Sequence, residues 1–207
     1  MIHGYLDRGG QPWSKLGIDI LLGSVIDKPA NLSQSMFLPE YLMKGLDSAS
    51  MQSRPIVKYN KPLLTAQPGD ERTGIYIPLI CTGSICLIIF LISLSKNPAA
   101  KKFTAFTDAL LLYITGLMGI LLLFMWFGTD HVACGYNYNL LWALPTNFFA
   151  AFFLWRRPAW LKSYFFIAAI ITSLLLIGWF WLPQEFNIAL SPVALLLLNR
   201  YIYQAKQ

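Results

Sequence analysis

The sequence predicts a mainly α-helical membrane protein, in which a small external segment of helical and extended structure precedes a polytopic bundle of about five transmembrane helices. Hydrophobic residues make up 56% of the chain and charged residues only 13%, against about 25% charged residues in an ordinary soluble domain. The charges are also unevenly distributed, because half of the Lys and Arg residues and most of the acidic residues precede residue 74. The remainder therefore consists of apolar stretches separated by short polar loops.

The first 73 residues have the composition of a soluble segment. Residues 1–50 contain a helical pattern around Trp13 to Leu22 and a second one over Pro39 to Leu46, which begins with a proline as first helical turns allow. We interpret 1–50 as the C-terminal end of an extracytoplasmic domain, too small for a large core of its own. Residues 51–73 hold three prolines and alternate polar with apolar residues, which predicts an extended tether.

The apolar part, residues 74–207, contains five candidate spans. A helix needs roughly twenty mostly apolar residues to cross a bilayer. The third candidate is short and contains Pro145 and Asn147, so it either spans obliquely or enters the bilayer and returns. We expect Asn147, and Asn187 in the fifth, to supply interhelical hydrogen bonds. The predicted helices cover about 74–95, 106–127, 140–155, 163–182 and 186–203.

The charges in the loops predict the orientation of the bundle. Five spans place all the cationic loops on one side, while the opposite loops carry Asp130 and Glu185 and no Lys or Arg. The positive-inside rule then puts residues 1–73 outside the cytoplasm and the C-terminus inside, in the inner (cytoplasmic) membrane. A four-span arrangement would put Arg156 and Arg157 outside. The net charge of +6 is thus explained by membrane topology, and we predict no nucleic-acid partner.

An external position for residues 1–73 requires export, yet the N-terminus lacks the basic start and apolar stretch of a signal peptide. We therefore expect this chain to be the C-terminal part of a longer protein. Its upstream part would carry the signal sequence and most of an external domain.

The polar stretch Thr129–Trp142, here called the TDH loop, joins the second and third spans on the predicted external side. It contains His131, one of two histidines in the chain, and imidazole is the side chain best suited to general acid or base catalysis at physiological pH; the neighbouring Asp130 is placed to orient or charge the ring. These two are the candidate catalytic residues. In the alternative, the pair caps a helix end, the asparagines of the loop bond its backbone, and the aromatic residues form an interfacial belt.

Other polar residues give weaker signals. Cys134 lies close to His131 in sequence and would form a thiol–imidazole pair if the two side chains met. Asp19 and Asp27 could act as paired acids, although acids at this spacing more often make turns and caps. Asp108, near the start of the second span, could be a proton-relay or a structural carboxylate, and its neighbours Thr107 and Lys102 favour its assignment to the N-terminal turn of that helix. The chain has no metal-ligand spacing and no phosphate-binding glycine loop, so we predict neither a metal nor a cofactor.

Two long stretches resemble one family. WSKLGIDILLGSVIDKPANLSQSMFLPEYLMKGLDSA is similar to the segment that closes the external domain of Lnb-type lipoprotein N-acyltransferases of the Bacteroides group, and WFGTDHVACGYNYNLLWALPTN is similar to a loop between their membrane helices. The resemblance covers nearly the whole chain in the same order.

The resemblance implies a cysteine-peptidase-like external domain upstream, followed by a helical membrane domain. Such a protein transfers an acyl chain to the N-terminal cysteine of a lipoprotein, with a membrane phospholipid as donor. The expected nucleophilic cysteine belongs to the upstream domain and matches no position here, so the chain alone is expected to be inactive. The motif positions carried over are Asp130 and His131 as candidate catalytic residues, and Asn137, Asn139 and Trp142 as candidate substrate-binding residues.

Two functions of other classes compete with this one. A non-enzymatic anchor or scaffold for an external partner domain would tolerate substitution in the TDH loop. A small transporter is a weaker fit, because five spans give no even inverted repeat and the sequence shows no internal duplication.

Overall fold

The computed structural model describes residues 4, 6–7, 9–29, 31, 35–61 and 76–207. Over these residues the fold is mainly α-helical, as predicted, and its only sheet has two short strands. The α-helices are α1 (Pro12–Leu21), α2 (Pro39–Ser48), α3 (Ile77–Ser93), α4 (Pro98–Phe127), α5 (Asn147–Phe153), α6 (Ala159–Ile177) and α7 (Ser191–Lys206). Three 3₁₀ helices cover Val132–Cys134, Tyr138–Leu141 and Ile188–Leu190, and the strands are β1 (Ser50–Met51) and β2 (Arg54–Pro55).

The chain divides into two compact units, one formed by Met1–Asp27 together with Asp70–Gln207 and the other by Lys28–Gly69. This division differs from the predicted boundaries at residues 50 and 73. Helix α1, which lies in the predicted external segment, belongs to the same unit as the apolar helices, whereas α2 does not.

In the unit Lys28–Gly69, α2 begins at Pro39 with a proline in its first turn, where the missing N–H costs no hydrogen bond. β1 and β2 pair antiparallel. The two residues between them, Gln52 and Ser53, have positive φ angles of 52° and 62°, the conformation that a two-residue hairpin turn requires. Residues 62–73 of the predicted tether lie outside the described part of the chain.

The larger unit has the inverted surface of a membrane protein. Among the described residues, α4 and α6 are long and apolar enough to cross a bilayer, and α3 is a shorter apolar helix. Large apolar side chains point away from the protein, such as Ile80 (63% exposed), Phe124 (60%) and Leu174 (64%), while polar side chains such as Asn147 are buried. Because lipid solvates apolar surfaces and penalises polar ones, this arrangement is stable in a bilayer.

The third predicted span is the most irregular part of the bundle. Its α-helix, α5, has only 7 residues and follows Pro145 closely. Two glycines of α4 allow this segment to approach, because a Cβ atom at Gly116 would overlap the backbone of Phe148 and one at Gly119 would overlap the Ala143 carbonyl. Such close backbone contact is typical of helix packing in membranes. The segment is thus held against the middle of α4.

Asn147 connects four helices through its buried amide. Its Nδ2 donates to Thr115 Oγ1 of α4 at 3.1 Å, and its Oδ1 accepts from Tyr164 of α6 at 2.6 Å and from Tyr201 of α7 at 2.9 Å. Every polar group here has a partner, which a lipid-surrounded core requires. The prediction that Asn147 forms interhelical hydrogen bonds is confirmed.

A buried ion pair joins α4 to α7. Arg200 donates from Nε to Asp108 Oδ1 at 2.7 Å and from Nη2 to Oδ2 at 2.8 Å, and both side chains are almost fully buried. The assignment of Asp108 to a helix N-terminal turn is wrong, because α4 begins earlier, at Pro98, with Asn97 as the capping side chain. The pair places the start of α4 and the end of α7 at the same end of the bundle.

Candidate functional site

The TDH loop folds into two 3₁₀ turns, Val132–Cys134 and Tyr138–Leu141. Asn137 begins the second turn and accepts a hydrogen bond from the backbone N–H of Asn139 at 2.9 Å, the bond that favours asparagine at such positions. Asn139 in turn accepts from the indole N–H of Trp142 at 2.9 Å. All three side chains are buried. The loop is therefore an ordered structure built on its own polar side chains.

Three buried amide side chains, those of Asn137, Asn139 and Gln184, bind the C-terminal end of α1; we call them the amide cluster. Asn139 Nδ2 donates to the carbonyl of Asp19 at 2.8 Å, Asn137 Nδ2 to that of Ile20 at 2.8 Å, and Gln184 Nε2 to that of Leu22 at 3.1 Å. The last carbonyls of a helix have no partner inside it. The amide cluster supplies these partners and so attaches α1 to the loops of the bundle.

The backbone following α1 strengthens the attachment. Gly23 donates its N–H to the carbonyl of Ala133 at 2.9 Å, and Ser24 donates to that of Tyr136 at 3.2 Å. A Cβ atom at position 23 would overlap the carbonyl of Gly135, so only glycine allows the two backbones to come this close. Helix α1 is thus fixed by side-chain and main-chain bonds together.

The two candidate catalytic residues, Asp130 and His131, are exposed at the start of the TDH loop. The His131 ring contacts Thr129, whose Oγ1 lies 3.0 Å from Nδ1, and Thr129 itself donates to the carbonyl of Met125 at 2.7 Å. In the part of the chain that the structure describes, no hydrogen bond or ion pair joins Asp130 to His131. Thr129, not Asp130, therefore orients the ring, and the His131 side chain is otherwise exposed.

Cys134 differs from its neighbour His131 in being almost fully buried, at 1% exposure. Burial raises the pKa of the Cys134 thiol above its ordinary value, because a low-dielectric environment disfavours the thiolate. A nucleophilic cysteine needs the opposite shift. The geometry therefore favours a structural role for this residue.

A cleft of about 260 Å³ lies between α1, the start of α3 and residues 185–188; we call it the acidic cleft. Among the residues that the structure describes, its charged lining consists of three carboxylates, on Asp7, Asp19 and Glu185, and one ammonium, on Lys15. Lys15 Nζ contacts both carboxylate oxygens of Asp7 at 2.9 Å. Asp19, which is 5% exposed, accepts from Asn187 Nδ2 at 2.7 Å.

Only some of the residues that line the acidic cleft and bind α1 could be predicted from the sequence. Asp19 was singled out as an acid, but its partner Asn187 was expected to bond another membrane helix and bonds Asp19 of α1 instead. Gln184 could not be predicted as a site residue, because a Gln in a short turn between apolar stretches is ordinary. In the structure it is buried and bonds to the carbonyl of Leu22, at the end of α1. The substrate-binding role of Asn137, Asn139 and Trp142 stays a prediction, and in the structure their polar groups bond to protein.

Comparison with known proteins agrees with this architecture. A family model described as the Lnb transmembrane domain, with five transmembrane helices, matches residues 70–207. No curated protein and no solved structure matched the chain. The matched part contains α3 to α7, the TDH loop, the whole amide cluster, and Glu185 and Asn187 of the acidic cleft. Since it extends over more than half of the sequence, the chain belongs to the Lnb transmembrane-domain family.

Proposed function

We propose that this chain is the membrane portion of an acyltransferase that N-acylates the N-terminal cysteine of lipoproteins at the external face of the inner membrane. The observation that carries the proposal is the match of residues 70–207 to the Lnb transmembrane domain. A membrane phospholipid is the acyl donor, and a lipoprotein is the acceptor. The nucleophilic cysteine lies in an upstream domain of the same protein.

The chemistry requires two transfers. A phospholipid ester C–O bond breaks as the thiolate of the upstream domain forms a thioester, and the lysolipid oxygen takes a proton. The free α-amine of the lipoprotein then attacks the thioester carbonyl, so that an amide C–N bond forms, the C–S bond breaks and the amine loses a proton to a base. The phospholipid donor and the lipoprotein acceptor are both held in the bilayer by their acyl chains, so the reaction needs a site at the membrane surface.

Two features of the chain support a site at the end of the bundle that carries the TDH loop. The amide cluster and Gly23 attach α1 to the loops, which would hold an external domain close to the bilayer. His131 is exposed, with one ring nitrogen held by Thr129, and is the candidate base for the amine proton.

Replacing His131 tests this role. In the intact protein His131→Ala should lower the initial rate of lipoprotein N-acylation about a hundredfold, the contribution typical of a general base, without lowering the amount of protein in the membrane. The product is measured by mass spectrometry of lipoprotein N-terminal peptides from isolated membranes. Val132→Ala is the matched control, since Val132 is the next residue and is 78% exposed. Unchanged acylation in the histidine variant would reject the role.

One observation favours a second candidate, a non-enzymatic anchor. The side chains of Asn137, Asn139 and Trp142 all bond within the protein, as a scaffold for an external domain would require. If the chain is only an anchor, substitution of the exposed residues Asp130 and His131 should leave the rate of lipoprotein N-acylation unchanged. The His131→Ala measurement therefore separates the two functions.

A further inference from the structure

A second cleft, of about 320 Å³, lies at the end of the bundle away from the TDH loop, between the start of α6 and the end of α7; we call it the basic cleft. Its volume lies within the range of about 300–1,000 Å³ that small-ligand sites have. Its lining residues are Arg157, Pro158, Ala159, Leu161, Lys162, Phe165, Gln204 and Gln207. Two of them are cations and, among these described lining residues, there is no Asp or Glu.

A hydrogen-bonded chain holds one cation at the rim. Arg157 donates from Nη2 to Gln204 Oε1 at 3.2 Å, and Gln204 donates from Nε2 to Asp108 Oδ2 at 2.7 Å. The Asp108 carboxylate is already paired with Arg200 on both oxygens, so it does not neutralise Arg157. The guanidinium is thus positioned by a neutral amide at the lining of the cleft.

The backbone at the rim adds a second contribution to anion binding. Arg157 has φ of +44°, a conformation that costs a non-glycine residue about 1–3 kcal/mol and persists only where surrounding contacts impose it. Pro158 is the N-cap of α6 and makes no side-chain cap on the first turn. The N–H of Leu161 bonds to the carbonyl of Pro158 at 3.0 Å, whereas the N–H groups of Ala159 and Trp160 receive no side-chain cap, and their partial positive charge favours a phosphate.

The position of the cleft indicates where its ligand comes from. Leu161 and Phe165 form an apolar wall and are themselves buried. Trp155 and Trp160, on either side of the rim in sequence, are 66% and 47% exposed, and exposed tryptophans of membrane proteins lie at the headgroup level. The cleft therefore combines phosphate-binding charge with an apolar wall at the depth where phospholipid headgroups meet acyl chains.

We propose that the basic cleft binds the phosphodiester group of an anionic phospholipid, with Arg157 and Lys162 on the phosphate oxygens. The guanidinium fork matches two phosphate oxygens, and Lys162 adds a point charge. Basic clefts between membrane helices are the usual sites of anionic headgroups. This site is separate from the acyl-transfer chemistry and does not depend on it.

Lipid retention by the intact protein tests the proposal. Protein purified in detergent is incubated with phosphatidylglycerol or phosphatidylcholine, and bound lipid is counted by native mass spectrometry. The wild type should retain phosphatidylglycerol and not phosphatidylcholine. The variant Arg157→Gln/Lys162→Gln should bind phosphatidylglycerol about 25-fold more weakly, a loss of about fivefold for each cation.

The control variant is Arg156→Gln, because Arg156 is exposed, precedes Arg157 and does not line the cleft. It should bind the lipid like the wild type, and the thermal unfolding of all variants in phosphatidylcholine should agree. Equal losses in the control and the double variant would overturn the proposal, as would undiminished binding in the double variant. Competition by millimolar inorganic phosphate as strong as that by the lipid would also overturn it, since the site would then be one for a soluble anion.

Discussion

At the scale of single residues, two buried polar groups decide how the helices of this bundle pair. Asn147 and Asp108 both lie inside apolar helices where an unpaired polar group would be costly, and each has its partners on other helices. Asn147 could be assigned an interhelical role from the sequence alone, because an amide in a span has few alternatives. The partner of Asp108 could not, since Arg200 is far along the chain and only the packing of α4 against α7 brings them together.

Removal of the Asp108 carboxylate should destabilise the protein more than removal of the whole pair. Asp108→Leu leaves the Arg200 charge buried without a partner, which typically costs about 3–5 kcal/mol of unfolding free energy. Asp108→Leu/Arg200→Met should recover most of that loss, because a buried pair replaced by apolar residues is often nearly neutral. The measurement is chemical unfolding of the detergent-solubilised protein. Lys102→Met, at an exposed position of the same helix, is the control and should change stability by about 0.5 kcal/mol or less.

A double variant at least as unstable as Asp108→Leu would contradict this account of the pair. It would mean that the specific geometry around Asp108, including the bond from Gln204, contributes more than the avoidance of an unpaired charge.

At the scale of elements, the attachment of α1 is the feature that sequence reasoning could not supply. The periodicity of residues 13–22 predicted the helix, and the TDH loop was recognised as unusual, but nothing in either stretch indicates that they bind each other. The contacts run from Asn139 to Asp19 and from Asn137 to Ile20, across more than a hundred residues of chain. Apolar pattern predicts elements well, whereas contacts between distant loops depend on how those elements pack.

Loss of Asn137 and Asn139 from the amide cluster should loosen the attachment of α1. Because α1 has 10 residues, it is too short to be stable alone, and Asn137→Ala/Asn139→Ala removes the bonds to its last carbonyls. Each lost hydrogen bond contributes about 1 kcal/mol, so the backbone amides of α1 should exchange with deuterium at least about tenfold faster. Hydrogen–deuterium exchange with mass spectrometry measures this, and exchange in α6 should stay the same.

Asn97→Ala is the matched control for that experiment. Asn97 also caps a helix, with its side chain accepting from the N–H of Ala99 at 2.9 Å, but it does so at the start of α4, away from α1. The control should leave exchange in α1 unchanged. Equal protection of α1 in the double variant and the wild type would show that the cluster does not hold the helix.

At the scale of the whole molecule, the two ends of the bundle differ in chemistry. One end carries the TDH loop, the amide cluster and the acidic cleft, and the other carries the basic cleft and the ion pair with Arg200. Loop charges predicted this grouping, because the cationic loops alternate with those that hold Asp130 and Glu185. The number of spans was harder to predict, since α5 is short and α4 is longer than its apolar core.

The central claim is that this bundle takes part in acyl transfer and does more than anchor a domain. Its most direct test replaces residues 74–207 of the intact protein with an unrelated transmembrane helix of the same orientation. Lipoprotein N-terminal peptides are then analysed by mass spectrometry, with the chimera present in the membrane at the wild-type amount. We predict peptides with a free α-amine and no N-acyl chain. N-acylated peptides at the wild-type level would contradict the claim and reduce the bundle to an anchor.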